Sequence, residues 1–322
     1  MTALLLNIAA PWGGPDAVET AERALAAGLD GVGLLDSPRL FPDGFVEAQR
    51  ILDATAAGLA GPCVASLGLR HPATVAGALR TLEQHHPGRA FTVVGRGESS
   101  VRNEGLPLPP LREYTAALAS LRAGLSSDDD DGAVVGPGRL LGAASGPRTI
   151  TATAAALGGV LVDVGVEPDV VARAVRLARE QDADATVWLF LRATVTSSEE
   201  EAATATDPLL GSCAMRIVAA PEWYGVSGEE LAAVRAVADS HDYSRHGSAE
   251  ARRGARTDAD ALVRDRFVLT GEPGRIAARL GPLAALGVTG VVLAGALAGT
   301  LERLPELVGA MRRGLGNAGE PR

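Results

Sequence analysis

Short apolar runs recur along this chain, each followed by an amphipathic stretch of helical period, and this rhythm narrows the possible folds more than any other feature. The runs are Leu4–Ala9, Gly31–Leu35, Cys63–Leu69, Phe91–Val94, Leu140–Ala144, Val160–Val164, Thr186–Val195 and Val288–Leu293. The spacing predicts helices near residues 16–27, 44–57, 72–85, 111–125, 149–157 and 168–181. Apolar runs that are continuous rather than alternating mark strands buried on both faces, as in a parallel sheet. Eight such βα units over about 300 residues favour a single α/β domain, 1–322, folded as a (β/α)8 TIM barrel. An open doubly wound sheet is the alternative, because spacing alone does not prove closure.

Two segments break the rhythm. Residues 98–138 contain the acidic run Asp128–Asp131, which reads as a solvated loop rather than a metal site. Residues 196–266 form a larger insertion before the last helix and strand, and they carry Trp223, Tyr224, His241, Tyr243 and His246. In a barrel, such an insertion follows the C-terminal end of a strand and lies over the mouth where active sites are built. Its rings therefore either touch substrate or simply pin down a long loop.

Composition removes several chemistries. All 30 basic residues are Arg. With no Lys there is no Schiff-base, biotinyl or P-loop lysine, and any bound phosphate must be gripped by Arg, hydroxyls or backbone N–H groups. A net charge of −9 leaves no basic footprint for nucleic acid. Cys63 and Cys213 make neither a disulfide framework nor a zinc site. The first basic residue is Arg23, unlike the charged flank of a secretory leader. Leu280–Leu301 is uncharged but interrupted by Gly and Pro, so it reads as a helix end, a turn and a buried strand rather than a membrane span. A cytoplasmic protein with no membrane partner is expected.

Four stretches, taken in order, resemble the bacterial-luciferase-like superfamily, and most closely its branch that uses the deazaflavin coenzyme F420. They are AERALAAGLDGVGLLDSP from Ala21, GPCVASLGLRHPATVAGALRTLEQHHPGRAFTVVGRG from Gly61, AASGPRTITATAAALGGVLVDVG from Ala143 and GEPGRIAARLGPLAALGVTGVVLAG from Gly271. The resemblance covers most of the chain except parts of 98–138 and 196–266. It implies a methylenetetrahydromethanopterin reductase-like oxidoreductase that binds F420, or FMN on the same fold, and that pairs as a homodimer. It also implies a non-prolyl cis peptide on the third strand, here aligned with Cys63–Val64, so that Cys63 supports the ring with its backbone rather than acting as a nucleophile. Asp36 is placed near the ring by the same likeness.

The residues themselves agree with a planar, phosphorylated cofactor. Gly95 and Gly97 would let backbone approach the ring, and Ser66 offers a hydroxyl to its edge. A side chain at Gly97 is expected to block the cofactor and spare the fold. Ala143, Ala144, Ser145 and Gly146 are small and precede a helix whose free N–H groups suit a phosphate. Arg148 and Arg96 are the candidate cations. Gly159 either permits close approach or belongs to an ordinary turn. His71 reads as structural at a helix start. Asp163 is an odd neighbour for a phosphate, and either binds cofactor hydroxyls or faces away.

Two positions depart from the family pattern. Ser37 stands where the F420 branch often has a proton-transferring His, and Ser100 aligns where relatives often carry an acidic Glu, although Glu98 is close by. With Asp36, Ser37 and Glu98 as candidate catalytic residues, the departures favour a reductase acting on a C=C or C=N bond over a sugar-phosphate dehydrogenase. Its substrate would be a small molecule or peptide intermediate, as in secondary-metabolite biosynthesis. Trp12, Trp223, Tyr224 and His241 are the candidate substrate contacts. An FMN-dependent monooxygenase and a non-catalytic binding subunit are the alternatives.

Overall fold

The computed structural model describes residues 2–126, 135–136, 138–246, 248–252, 256–294 and 300–316. Eight parallel strands close into a barrel: β1 (Ala3–Ile8), β2 (Gly31–Leu34), β3 (Leu59–Ser66), β4 (Thr92–Gly95), β5 (Leu140–Ala144), β6 (Gly159–Val162), β7 (Thr186–Val195) and, last in the chain, β9 (Gly290–Ala294). Pairing of β6 with β7 and of β9 with β1 completes the ring, which excludes the open sheet.

The expected helices form around it: α1 (Ala17–Ala26), α2 (Gly44–Ala54), α3 (Pro72–His85), α5 (Leu111–Leu125), α6 (Pro147–Leu157) and α7 (Pro168–Gln181). Their starts follow from local chemistry. Asp16 and Asp43 accept the first free N–H groups of α1 and α2. Pro occupies the first turn of α3, α6 and α7, where its missing N–H costs no hydrogen bond. His71 caps α3 through Nδ1, in keeping with a structural role.

Three details differ from the sequence reading. β3 runs Leu59–Ser66 rather than Cys63–Leu69, because Leu59–Pro62 pairs with Gly31–Leu34 straight through the Gly-Pro step. The segment after β4 is not wholly irregular, since it contains α4 (Glu98–Asn103). The 196–266 insertion is mostly helical, with α8 (Glu199–Ala219), α9 (Gly228–Asp239) and α10 (Asp258–Phe267). A ninth strand, β8 (Val268–Gly271), then pairs with the last four residues of β7 outside the ring. It is followed by α11 (Pro273–Ala284), and α12 (Leu304–Gly314) ends the described chain.

Leu280–Leu301 holds the end of α11 and then β9, as its Gly and Pro residues indicated, and no described helix is long and apolar enough to cross a membrane. The acidic run Asp128–Asp131 lies outside the described residues.

Inside the ring, Leu5, Cys63, Phe91, Val93, Leu141, Leu161, Trp188 and Val292 form one apolar cluster. Phe91 and Trp188 stack with ring centroids 5.4 Å apart, and Gly290 leaves room for the indole. Burial of each large side chain contributes about 1.5–3 kcal/mol. This plug fills the N-terminal end of the barrel, so open space remains only toward the C-terminal ends of the strands.

Candidate functional site

A cavity of about 290 Å³ occupies that C-terminal mouth. Its walls come from the ends of β1 to β7, from the start of α4 and from the insertion. Asn7 and Ser37 reach it from β1 and the segment after β2, Cys63 and Val64 from β3, Gly95 through Glu98 from β4, and Ala143 through Ser145 from β5. Asp163 and Arg192 follow on β6 and β7, and Ser212, Met215, Arg216, His241, Tyr243 and His246 cover it from the insertion.

The sequence candidates divide. Asp36, Ser37, Glu98, Cys63, Val64, Gly95, Arg96, Gly97, Ala143, Ala144, Ser145 and His241 all line the cavity. Ser66 is buried just behind Gly97, its hydroxyl donating weakly to the Arg96 carbonyl at 3.4 Å. Gly146 and Arg148 sit at the start of α6 beside the lining, and Arg148 is exposed.

Gly159 is at the other end of the barrel. It begins β6 opposite Thr186 and is packed on Leu141, so it is a strand residue rather than either a cofactor contact or a turn, and the turn itself is made by Gly158. The aromatic candidates also lie elsewhere. Trp12 is 63% exposed, its indole N–H donating to the Pro38 carbonyl. The Trp223 ring lies under the Arg173 guanidinium. Tyr224 is buried against Phe267, with its hydroxyl directed to the Val164 carbonyl at 3.4 Å. These last two rings fasten the insertion to the barrel wall.

The Cys63–Val64 peptide is cis, and the register between β3 and β4 shifts there between Cys63 and Ala65. Burial pushes the Cys63 thiol well up, which removes it as a thiolate at neutral pH. Gly95 faces Val64 and Ala143 closely enough that a β-carbon would collide with the valine. Gly97 has φ +79° and no room for a β-carbon beside the Ser66 and Ser100 hydroxyls. Contrary to expectation, a side chain there would disturb the loop itself and not merely the ligand.

The lining carboxylates are individually engaged. Asp36 is held by Arg70 through both oxygens, at 2.7 and 2.6 Å, and also accepts the Gly44 N–H. Glu98 accepts the Tyr243 hydroxyl at 3.2 Å and lies 3.5 Å from Arg102. Burial, reinforced by the Glu98 charge, raises the Tyr243 phenol to about 12, so it keeps its proton at neutral pH. Asp163 lines the cavity, so of the two readings the sequence left open it does not face away. It takes a bidentate contact from Arg192 at 2.7 and 2.9 Å and a further one from Arg216 at 3.0 Å. Although burial opposes ionisation, the Arg192 and Arg216 charges hold its carboxyl well below the usual range.

His241 Nε2 and His246 Nδ1 are 3.1 Å apart. Burial, the neighbouring imidazole and the nearby guanidiniums push His246 down to about 3, and burial with Arg216 lowers His241 as well. Both rings are therefore neutral near pH 7.

Three lining groups have a buried polar atom without a hydrogen-bond partner: Asn7 Oδ1, Ser37 Oγ and His241 Nδ1. An unpaired buried polar atom costs about 1–3 kcal/mol, and each of these three is sealed in the packing behind the lining. Arg192, Arg216, Tyr243 and His246 were not among the sequence candidates, although the aromatic and imidazole content of the insertion pointed toward the last two. Arg192 was legible in principle, since a charge inside the apolar run TVWLFLRATV requires a buried partner.

The family model described as luciferase-like monooxygenase matches residues 13–290. Solved structures share the fold. The coenzyme F420-dependent tetrahydromethanopterin reductase from Methanopyrus kandleri is 18% identical, with TM-score 0.71 over 96% of this chain and 97% of that one. An F420-dependent secondary alcohol dehydrogenase in complex with an F420-acetone adduct is 17% identical, with TM-score 0.69 over 97% and 99%. The EDTA monooxygenase from Chelativorans sp. BNC1 is 15% identical, with TM-score 0.61 over 97% and 93%. No curated protein matches the chain by sequence.

Proposed function

The chain belongs to the luciferase-like monooxygenase family, and we propose that within it this protein is an F420H2-dependent reductase acting on a C=C or C=N bond. The observation that carries this reading is a single cavity of about 290 Å³ at the barrel mouth, walled on one side by Cys63, Val64, Gly95 and Ala143 and on the other by polar groups of the insertion. A flat ligand with polar edges fits between two such walls. The F420-dependent enzymes that share the fold add support, as does the mostly backbone character of the opposite wall.

In this reading the Cys63–Val64 peptide, Gly95 and Ala143 would hold the ring of the cofactor, since no long side chain intervenes there. Ser145, Arg148 and the free N–H groups at the start of α6 would hold its phosphate. Reduced F420, when bound, supplies the hydride, and the protein supplies place, dryness and a proton. Arg70 fixes Asp36, which in turn holds the segment carrying Ser37. Tyr243 keeps its phenolic proton beside Glu98, and this pair is the proton source aimed into the cavity from the insertion. Met215 and Leu108 shield the space from water.

A second reading, an FMN-dependent monooxygenase, is favoured by the description of the matching family and by the shared fold of the EDTA monooxygenase. Fluorescence titration of the purified protein with F420 and with FMN separates the two. Tight binding of F420 is expected. Tight binding of FMN alone overturns the reductase reading, and binding of neither by folded protein points to a non-catalytic member.

A further inference from the structure

Two guanidiniums on one carboxylate leave a positive charge without a match. The other lining carboxylates also have cations beside them: Arg70 is shared by Asp36 and Asp43, and Glu98 pairs with Arg102 while its charge also reaches Arg216. Arg192 and Arg216 must share Asp163. Arg192 is only 5% exposed, and an uncompensated charge at such a depth is costly enough that proteins pair or hydrate it. The cluster is therefore built for one more negative charge. A dianion would again leave an excess, of the opposite sign.

The position of the cluster says where that charge belongs. A smaller lobe of about 90 Å³ adjoins the main cavity, walled by the apolar Ala205, Pro208, Leu209, Ala251 and Ala294. Arg192, Ser212 and His241 are among the residues that line both spaces and so stand at their junction, while Arg216 reaches it from the main cavity alone. The phosphate cradle proposed above, at the start of α6, is separate from this junction: its Ser145 lines the main cavity but not the second lobe, and Gly146 and Arg148 line neither.

We propose that the junction is a carboxylate-binding subsite, and that the substrate is a small monocarboxylic acid whose apolar body fills the second lobe. Arg192 and Arg216 grip the carboxylate, and Asp163 holds the two guanidiniums in a fixed arrangement. The bond to be reduced then lies between the carboxylate and the cofactor ring. This assignment rests on the oxidoreductase reading for the placement of the cofactor, but not for the subsite itself.

The test is calorimetric titration of the full-length protein with trans-2-hexenoate and with its methyl ester, beside a separate F420 titration. The acid should bind about 30-fold more tightly than the ester, the worth of a charge-assisted hydrogen bond. Arg216→Gln should remove that preference while leaving F420 affinity within about twofold, and Arg216→Lys should retain most of it, as expected where charge dominates. Equal binding of acid and ester, or no binding of the acid at millimolar concentration, overturns the proposal. So does an Arg216→Gln variant that loses F420 affinity, because the pair would then serve the tail of the cofactor. Wild-type protein that distinguishes acid from ester yet binds neither F420 nor FMN supports the subsite and sinks the redox reading instead.

Discussion

Replacing Asp163 with Asn tests whether the carboxylate is the keystone of the barrel mouth. The new side chain would be nearly isosteric but neutral, leaving Arg192 and Arg216 as two positive charges within reach of one amide. The side chains of Asp163, Arg192 and Arg216 are 15%, 7% and 21% exposed, so solvent screens them little. Removing one partner from a buried ionic group costs about 3–5 kcal/mol, and the partial exposure of Arg216 favours the lower end. At about 2.1 cal/mol/K per residue, unfolding this chain carries an entropy of roughly 0.7 kcal/mol/K. A loss of about 3 kcal/mol then lowers Tm by about 4–5 °C. Differential scanning calorimetry of Asp163→Asn against wild type reads the shift directly. Adding Arg216→Gln to the same variant should recover about half of it, because one of the two opposed charges is gone. A shift under about 1 °C, or a double variant less stable than Asp163→Asn, would refute the reasoning.

Acid sensitivity and backbone geometry give further predictions. The folded pKa of Asp163 is depressed, so its contribution is present above the unfolded value near 3.9 and is lost as pH falls below it. Asp163→Asn should accordingly lose less stability than wild type between about pH 4 and pH 2. His246 behaves differently, for burial and its neighbours set it near 3, below its ordinary 6.5. The unfolded chain binds that proton first, so His246 lowers stability as pH falls from about 6.5 toward 3. Denaturant unfolding at pH 7 and pH 5 should show His246→Asn losing about 1–2 kcal/mol less than wild type over that interval; equal losses would mean that the ring titrates normally. Gly97→Ala should cost about 1–2 kcal/mol from its left-handed backbone alone, with a further loss from the collision with Ser66. Thermal unfolding and F420 titration should therefore fall together, whereas lost binding at unchanged Tm would restore the simpler view of that loop.

The barrel was legible because its signal is repeated. Thr186–Val195 and Leu140–Ala144 coincide with strands, and α3, α5 and α7 begin and end where capping and periodicity place them. β8 was missed because Val268–Gly271 is short and directly continues α10 with no Gly or Pro between them. At the site, small residues at strand ends gave away Gly95, Gly97 and Ala143, since a backbone approach leaves a compositional trace. The charged cluster left none. Asp163, Arg192 and Arg216 are separated by up to 53 residues, and only the closed ring brings β6, β7 and α8 together. Trp223 and Tyr224 misled for a related reason: their content of ring suggested a ligand, but the insertion spends them on docking to the barrel.

The ten-residue length of β7 has a mechanical consequence. Its first half is a stave of the barrel, and its second half, from Arg192 to Val195, is bonded instead to β8. The insertion leaves from the tip of this strand and returns alongside it, like a handle riveted at both ends to one bar. That four-residue ladder fixes both ends of the insertion, and α8 is further packed against α9 and α10. The two lobes of the cavity thus belong to one rigid frame, with Arg192 at the rivet, so selectivity changes most readily through the side chains that α8 turns inward rather than through the travel of a hinge.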